Sequence, residues 1–225
     1  MFQGSVPHHD TGGFKSHRIR LPDAEYGIAL DCIVKACSDM LLVSADGSKV
    51  LLGRRIVYPQ PDWWFVGGRI MPGETPTKSC SRLLKRELGL DIDPLRLQAI
   101  CSQSLAWGMR EQQPKDHGTT DLQVVFMLQL TEAEETSVVL DPKEYSDSGW
   151  FEPAEIVDQE EKYHPALRFA VSSLLAQQAC ADLRKAVADG AEDAEIAALA
   201  RAFVQRADVR CKSGASAYGN VQTSS

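Results

Sequence analysis

Two glutamates, Glu74 and Glu87, stand either side of an arginine, Arg82, in a stretch that changes character halfway along. The first half, residues 67–74, runs Gly67-Gly68-Arg69-Ile70-Met71-Pro72-Gly73-Glu74 and reads as a Gly- and Pro-punctuated loop. The second half reads as a helix with clear ends. Thr75 is a suitable N-cap, Pro76 falls at the first helical position where a missing N–H costs nothing, and Gly89 is suited to the left-handed turn that closes a helix. Cys80, Leu84 and Leu88 recur every fourth residue and form a buried stripe, and Glu87 falls one turn beyond Leu83 on a neighbouring face. A loop that feeds a helix, with one acid in the loop and one in the last turn, can present both carboxylates beside one pocket.

Other elements must hold this unit in place. Residues 23–36 read as a helix with Asp23 as its cap and Ile28, Ala29, Cys32, Ile33 and Ala36 at helical spacing. Residues 40–43 and 49–53 read as a hairpin around Ala45-Asp46-Gly47-Ser48. A Pro-broken loop, residues 58–62, leads to Trp63-Trp64-Phe65-Val66 and the glycine pair. Strands are expected over 97–105 and 122–130, with a polar loop, 108–121, between them that carries His117. Residues 131–137 are acidic and suit a turn or short helix. A late strand follows Leu140-Asp141-Pro142-Lys143-Glu144-Tyr145, and helices are expected over 153–156, 163–187 and 191–207.

Composition bounds the classes of function. The chain has 225 residues, 44% hydrophobic and 24% charged, which suits one sizeable globular domain with an extension. The formal charge of −7 argues against nonspecific binding to nucleic acid or an anionic membrane. No apolar run approaches membrane-spanning length, and the N-terminus lacks the basic-then-apolar pattern of a signal peptide. The six cysteines are scattered without a C-x-x-C pair and read as reduced thiols of a cytoplasmic protein. His8-His9 sits in a Gly-, Ser- and Asp-rich N-terminus whose composition favours a flexible tail over a metal site.

The loop–helix unit resembles the Nudix box, the signature of the Nudix hydrolases. Gly68, Glu74, Arg82, Leu84, Glu87, Gly89 and Leu90 fall on the family pattern, whereas Leu83 and Arg86 stand where the family usually has glutamates. The helix sequence, Arg82-Leu83 through Glu87-Leu88-Gly89-Leu90, is similar to the GDP-mannose mannosyl hydrolase branch, which lacks the same two acids and cleaves a sugar–oxygen bond with one magnesium ion. Few carboxylates suit one Mg2+, which is usually held by one or two of them plus substrate phosphate.

The resemblance implies an α/β fold, a Nudix α/β/α sandwich with a mixed β-sheet, plus a C-terminal helical extension. It divides the chain into a flexible N-terminal segment (1–20), a Nudix hydrolase domain (21–160), a helical extension (161–210) and a disordered tail (211–225). The extension either covers the sheet or serves a homodimer contact. The implied cofactor is Mg2+, with Mn2+ as the alternative, held by Glu87, Glu144 and the Gly67 carbonyl. Asp39, Arg55, Arg69 and His117 are the implied substrate contacts, and Glu74 (oriented by Arg82), Arg69 (aiding departure of the diphosphate) and Glu144 are the implied catalytic residues. The branch has a histidine base where this chain has Tyr145, and a phenol titrates near ~10. Glu144 or a residue of the 108–121 loop then becomes the expected base. The expected substrate is a nucleoside diphosphate sugar. Attack at phosphorus, as in ordinary Nudix enzymes, and nucleotide binding without turnover are the alternatives that the missing acids leave open.

Overall fold

The computed structural model describes residues 6–218, with side chains to residue 209. The chain divides into two compact units between Phe151 and Glu152. The first unit contains helix α1 (Asp23–Cys32), strands β1 (Lys35–Val43), β2 (Val50–Arg55), β3 (Trp63–Trp64) and β4 (Val66–Arg69), helix α2 (Pro76–Leu88), strands β5 (Gln98–Trp107) and β6 (Thr119–Gln129), helix α3 (Glu132–Ser137) and strand β7 (Tyr145–Phe151). The second contains α4 (Pro153–Asp158), α5 (Pro165–Ala188) and α6 (Asp193–Tyr218), with α5 packed on both α4 and α6. No helix among the described residues is long and apolar enough to cross a membrane.

The seven strands form one mixed sheet in the order β3-β2-β1-β6-β5, with β4 also paired to β1 and β7 to β2. β1 and β6 run parallel from Lys35↔Asp121 to Val43↔Gln129, and the other pairings are antiparallel. Because side chains alternate along a strand, β1 and β6 sort their residues cleanly. Met40, Leu42, Phe126 and Leu128 enter an apolar core with Leu51, Val66 and the α2 stripe Cys80, Leu84 and Leu88. Each fully buried leucine in that stripe contributes about 1.5–3 kcal/mol. On the alternate positions β1 and β6 carry Lys35, Asp39, Asp121 and Gln123, a polar row that the hairpin reading did not anticipate.

Helix α2 forms with the ends read from the sequence: Thr75 Oγ1 accepts from Lys78 N at 3.1 Å, and Gly89 adopts φ 71°. Leu83, in place of an acid, joins the core and packs beneath Gly68. The expected helix over 23–36 is shorter. It stops at Cys32, Ile33 is extended at φ −131°, and β1 begins at Lys35. The backbone from Lys35 onward is claimed by pairing with β6, which local apolar spacing does not register. Pro22, not Asp23, is the N-cap. Its carbonyl accepts from Tyr26 N at 2.9 Å, and Asp23 sits in the first turn, where its charge meets the positive helix end. The strand expected from 122 begins at Thr119, so the polar loop is shorter and includes a 3-10 turn, Lys115–His117. Of residues 131–137, Glu132–Ser137 form α3 and Thr131 is its N-cap, in a reciprocal Thr131–Glu134 capping box. The α6 backbone continues to Tyr218, into the stretch expected to be disordered; residues 219–225 of that stretch lie outside the described residues.

Candidate functional site

β4 lies antiparallel to β1 with Gly67 opposite Asp39 and Arg69 opposite Cys37, which sets the glycine pair at the sheet and aims the loop toward α2. Gly67 is required by close approach: a Cβ there would lie 2.0 Å from Asp39 Oδ1. Past the glycines, Glu74 braces the loop. Its carboxylate accepts a two-pronged bond from Arg82 (Nε to Oε1 2.8 Å, Nη2 to Oε2 3.0 Å) and a third from the Met71 N–H at 3.1 Å. Arg82 Nη2 also donates to the Arg69 carbonyl at 3.0 Å and to Ser79 Oγ at 3.1 Å. Burial pushes the Glu74 carboxyl up, but Arg82, the Met71 N–H and Arg18 together outweigh it and hold the group below its ordinary range.

The expected Arg82–Glu74 pairing therefore forms, and its geometry is that of a loop clamp. A strap from the N-terminal segment adds to it. Ser16 Oγ and Arg18 Nε donate to the Pro72 carbonyl at 2.8 and 3.1 Å, and Arg18 Nη1 lies 3.3 Å from Glu74 Oε1.

The second acid is held differently. Glu87 is 2% exposed. Its Oε1 accepts from Arg86 Nη2 at 2.5 Å and its Oε2 from the Tyr145 hydroxyl at 2.8 Å. The same Arg86 nitrogen lies 3.5 Å from Glu144 Oε1. Backbone bonds fix the approach of these segments: Asp141 N donates to the Glu87 carbonyl at 3.1 Å, and Ile56 N to the Glu144 carbonyl at 3.0 Å. Burial raises the Glu87 carboxyl above its ordinary range. The Tyr145 hydrogen bond lowers it, the Glu144 charge raises it further, and Arg86 lowers it. Burial, with Glu87 beside it, pushes the Tyr145 hydroxyl far up, so Tyr145 acts as a hydrogen-bond donor and not as a base.

The polar row of the sheet supplies the rest. Asp39 is 5% exposed and its Oδ2 accepts from Gln123 Nε2 at 2.5 Å; Gln123 in turn accepts from Gln103. Burial pushes the Asp39 carboxyl up to about 7, against the pull of Gln123 and Arg55. Arg55 is half-buried. Its charge lowers the pKa of both Asp39 and Tyr145, and its Nε is buried without a hydrogen-bond partner among the described residues. An unsatisfied buried donor of this kind is costly unless a ligand oxygen meets it. The Arg69 guanidinium rests over the Tyr26 ring at 4.7 Å.

His117 is not brought into this group. Its Nδ1 lies 3.1 Å from Asp31 Oδ2, and Asp31 Oδ1 accepts from the buried Arg110 at 2.6 Å. His117 and Asp31 line an open cavity of about 700 Å3 with Trp107 and the end of α1, away from Glu74, Glu87 and Glu144. The sequence reading missed Gln123, Gln103 and Arg110. Asp121 and Gln123 alternating through an otherwise apolar central strand were the available signal for the polar row.

The resemblance to the Nudix box implies a divalent cation, and the residues do not fit one as they are arranged. Both Glu87 oxygens are taken, one by a guanidinium. Glu74 is clamped by arginines. No group of three or more His, Cys, Asp or Glu side chains converges on a point among the described residues.

A mixed seven-stranded sheet with a Gly-Gly-Arg loop feeding an Arg-braced helix defines a Nudix-class protein. A family model, the NUDIX domain, matches residues 37–171, and the chain belongs to that family, whose members are the Nudix hydrolases. Among solved structures, it is similar to a MutT NUDIX hydrolase from Burkholderia pseudomallei, at 17% identity and TM-score 0.50 over 63% of this chain and 98% of that one. It is also similar to the E. coli dihydroneopterin triphosphate pyrophosphohydrolase (21%, TM-score 0.46, 62% and 95% of the two chains) and to the C. elegans Ap4A hydrolase (15%, 0.44, 65% and 99%). The first of these likenesses extends to the fold alone. No curated protein sequence matches the chain.

Proposed function

We propose that the chain hydrolyses a nucleoside diphosphate sugar of the GDP-mannose kind, releasing free sugar and nucleoside diphosphate. The observation that carries this reading is Asp39 beside Arg55: a carboxyl held at about 7 next to a half-buried guanidinium with an unmet N–H. A general base works best when its pKa lies near the working pH, and Asp39 takes the role that Tyr145 cannot. Water attacks the anomeric carbon, its proton passes to the Asp39 carboxylate, and the sugar–oxygen bond breaks toward the diphosphate. Arg55 and Arg69 hold the charge that develops on the departing nucleotide. Among the described residues Cys32, Cys37, Cys80 and Cys180 are free thiols, which supports a reducing, cytoplasmic setting.

The second reading is binding without turnover. It is favoured by the Arg86–Glu87–Tyr145 contacts, and by the clamp role of Glu74, which gives the acid–arginine pair a structural reason to persist without catalysis.

Incubation with a panel of nucleoside diphosphate sugars, with and without EDTA, separates the readings when products are resolved by chromatography. Sugar plus nucleoside diphosphate, insensitive to chelator and lowered on the order of 10²-fold by Asp39→Asn, is the expected result. Nucleoside monophosphate plus sugar phosphate means attack at phosphorus and overturns it. Saturable binding with no product selects the second reading.

A further inference from the structure

We infer that the Arg86 guanidinium is an internal replacement for the divalent cation of this family, seated between Glu87 and Glu144, and that its removal opens a metal site. Neighbouring helix positions point in diverging directions and do not face one another by default. Arg86 nevertheless sets one nitrogen 2.5 Å from Glu87 Oε1 and 3.5 Å from Glu144 Oε1. Two carboxylates from different elements thus share one cationic nitrogen, the arrangement in which they would otherwise share a hard cation.

The seat is closed from the other side as well. The Tyr145 hydroxyl takes Glu87 Oε2 at 2.8 Å, and its ring fits only because residue 53 is glycine: a Cβ on Gly53 would lie 2.4 Å from Tyr145 Cδ1. The Glu87 side chain is fully buried while that of Arg86 is 52% exposed, so the balancing charge reaches the buried acid from solvent. A dication entering beside Glu87 meets a fixed positive charge, and that repulsion is twice what a monovalent ion would feel. Arg86→Ala removes it and leaves Glu87 and Glu144 facing each other across the vacated space.

This inference rests on the family's use of metal and not on the identity of the nucleotide. Its test contains no nucleotide, so its failure and that of the hydrolase reading are told apart. Mn2+ is titrated into the full chain and the free ion is followed by electron paramagnetic resonance. The proteins are the parent chain, Arg86→Ala, Arg86→Gln, and Arg86→Ala combined with Glu87→Gln. Circular dichroism and thermal unfolding check that each is folded; Arg86→Gln keeps a neutral donor for Glu87 should the alanine variant fail.

The expected result is a saturable site in Arg86→Ala or Arg86→Gln at least about tenfold tighter than in the parent chain, lost again when Glu87 is also changed. Equal binding in the parent chain overturns the inference. So does the absence of any gain in both single variants, or a gain that survives loss of the Glu87 charge.

Discussion

Asp39 makes a pH prediction whose sign and size follow from its burial. Its carboxyl titrates at about 7 in the folded chain against an ordinary value of 3.8, chiefly because burial disfavours the charged form. The folded state therefore keeps a proton that the unfolded chain gives up near pH 4. The stabilisation is complete below the unfolded value and is lost as pH rises toward 7, where the folded form also ionises. The interval from 3.8 to about 7, at ~1.36 kcal/mol for each pH unit, amounts to ~4 kcal/mol. Asp39→Asn removes the titration while keeping shape and an oxygen for Gln123. Urea unfolding of both proteins between pH 4 and pH 8 should show the variant gaining relative to the parent by ~4 kcal/mol across that range, with little further change above it. A parallel pH dependence in the two proteins would refute a buried, proton-retaining Asp39, and with it the base assigned to the hydrolytic reading.

Three further changes probe the scaffold. Gly53→Ala forces a Cβ into the Tyr145 ring and should lower stability by about 1–3 kcal/mol in urea unfolding; an unchanged midpoint would show that the ring sits elsewhere. Arg82→Ala strips both prongs from a nearly buried Glu74 and the bond to the Arg69 carbonyl, with an expected cost on the order of 2 kcal/mol by the same assay. Arg18→Ala loosens the strap over Pro72. Because Arg18 is about half exposed, stability should fall by less than ~1 kcal/mol, while limited proteolysis before residue 18 should speed up clearly.

What was legible locally came from interactions between near neighbours. The ends of α2 are written in Thr75-Pro76 and Gly89, the hairpin in Asp46-Gly47, and the Glu74–Arg82 pair in its spacing along a loop and two helical turns. The helix read over 23–36 ran past its end because the apolar spacing of Cys32, Ile33 and Ala36 satisfies a helix as well as a strand edge. Only the parallel pairing with β6, from Lys35↔Asp121 onward, decides between them.

The site divides the same way. Sequence alone determined the family, the loop–helix unit, and the identity of the acids and arginines that it carries, because these depend on residue type and short spacing. Tertiary structure alone decided what each of them does. Arg86 sets a guanidinium nitrogen on Glu87; Tyr145 reaches the same acid through space left by Gly53; Asp39 is lifted toward neutrality by burial, against the pull of Gln123 on β6 and Arg55 on β2; and His117 is drawn to Asp31 instead. These roles are set by burial and, for all but the adjacent Arg86–Glu87 pair, by partners far apart in the chain, and neither exists until the strands have paired.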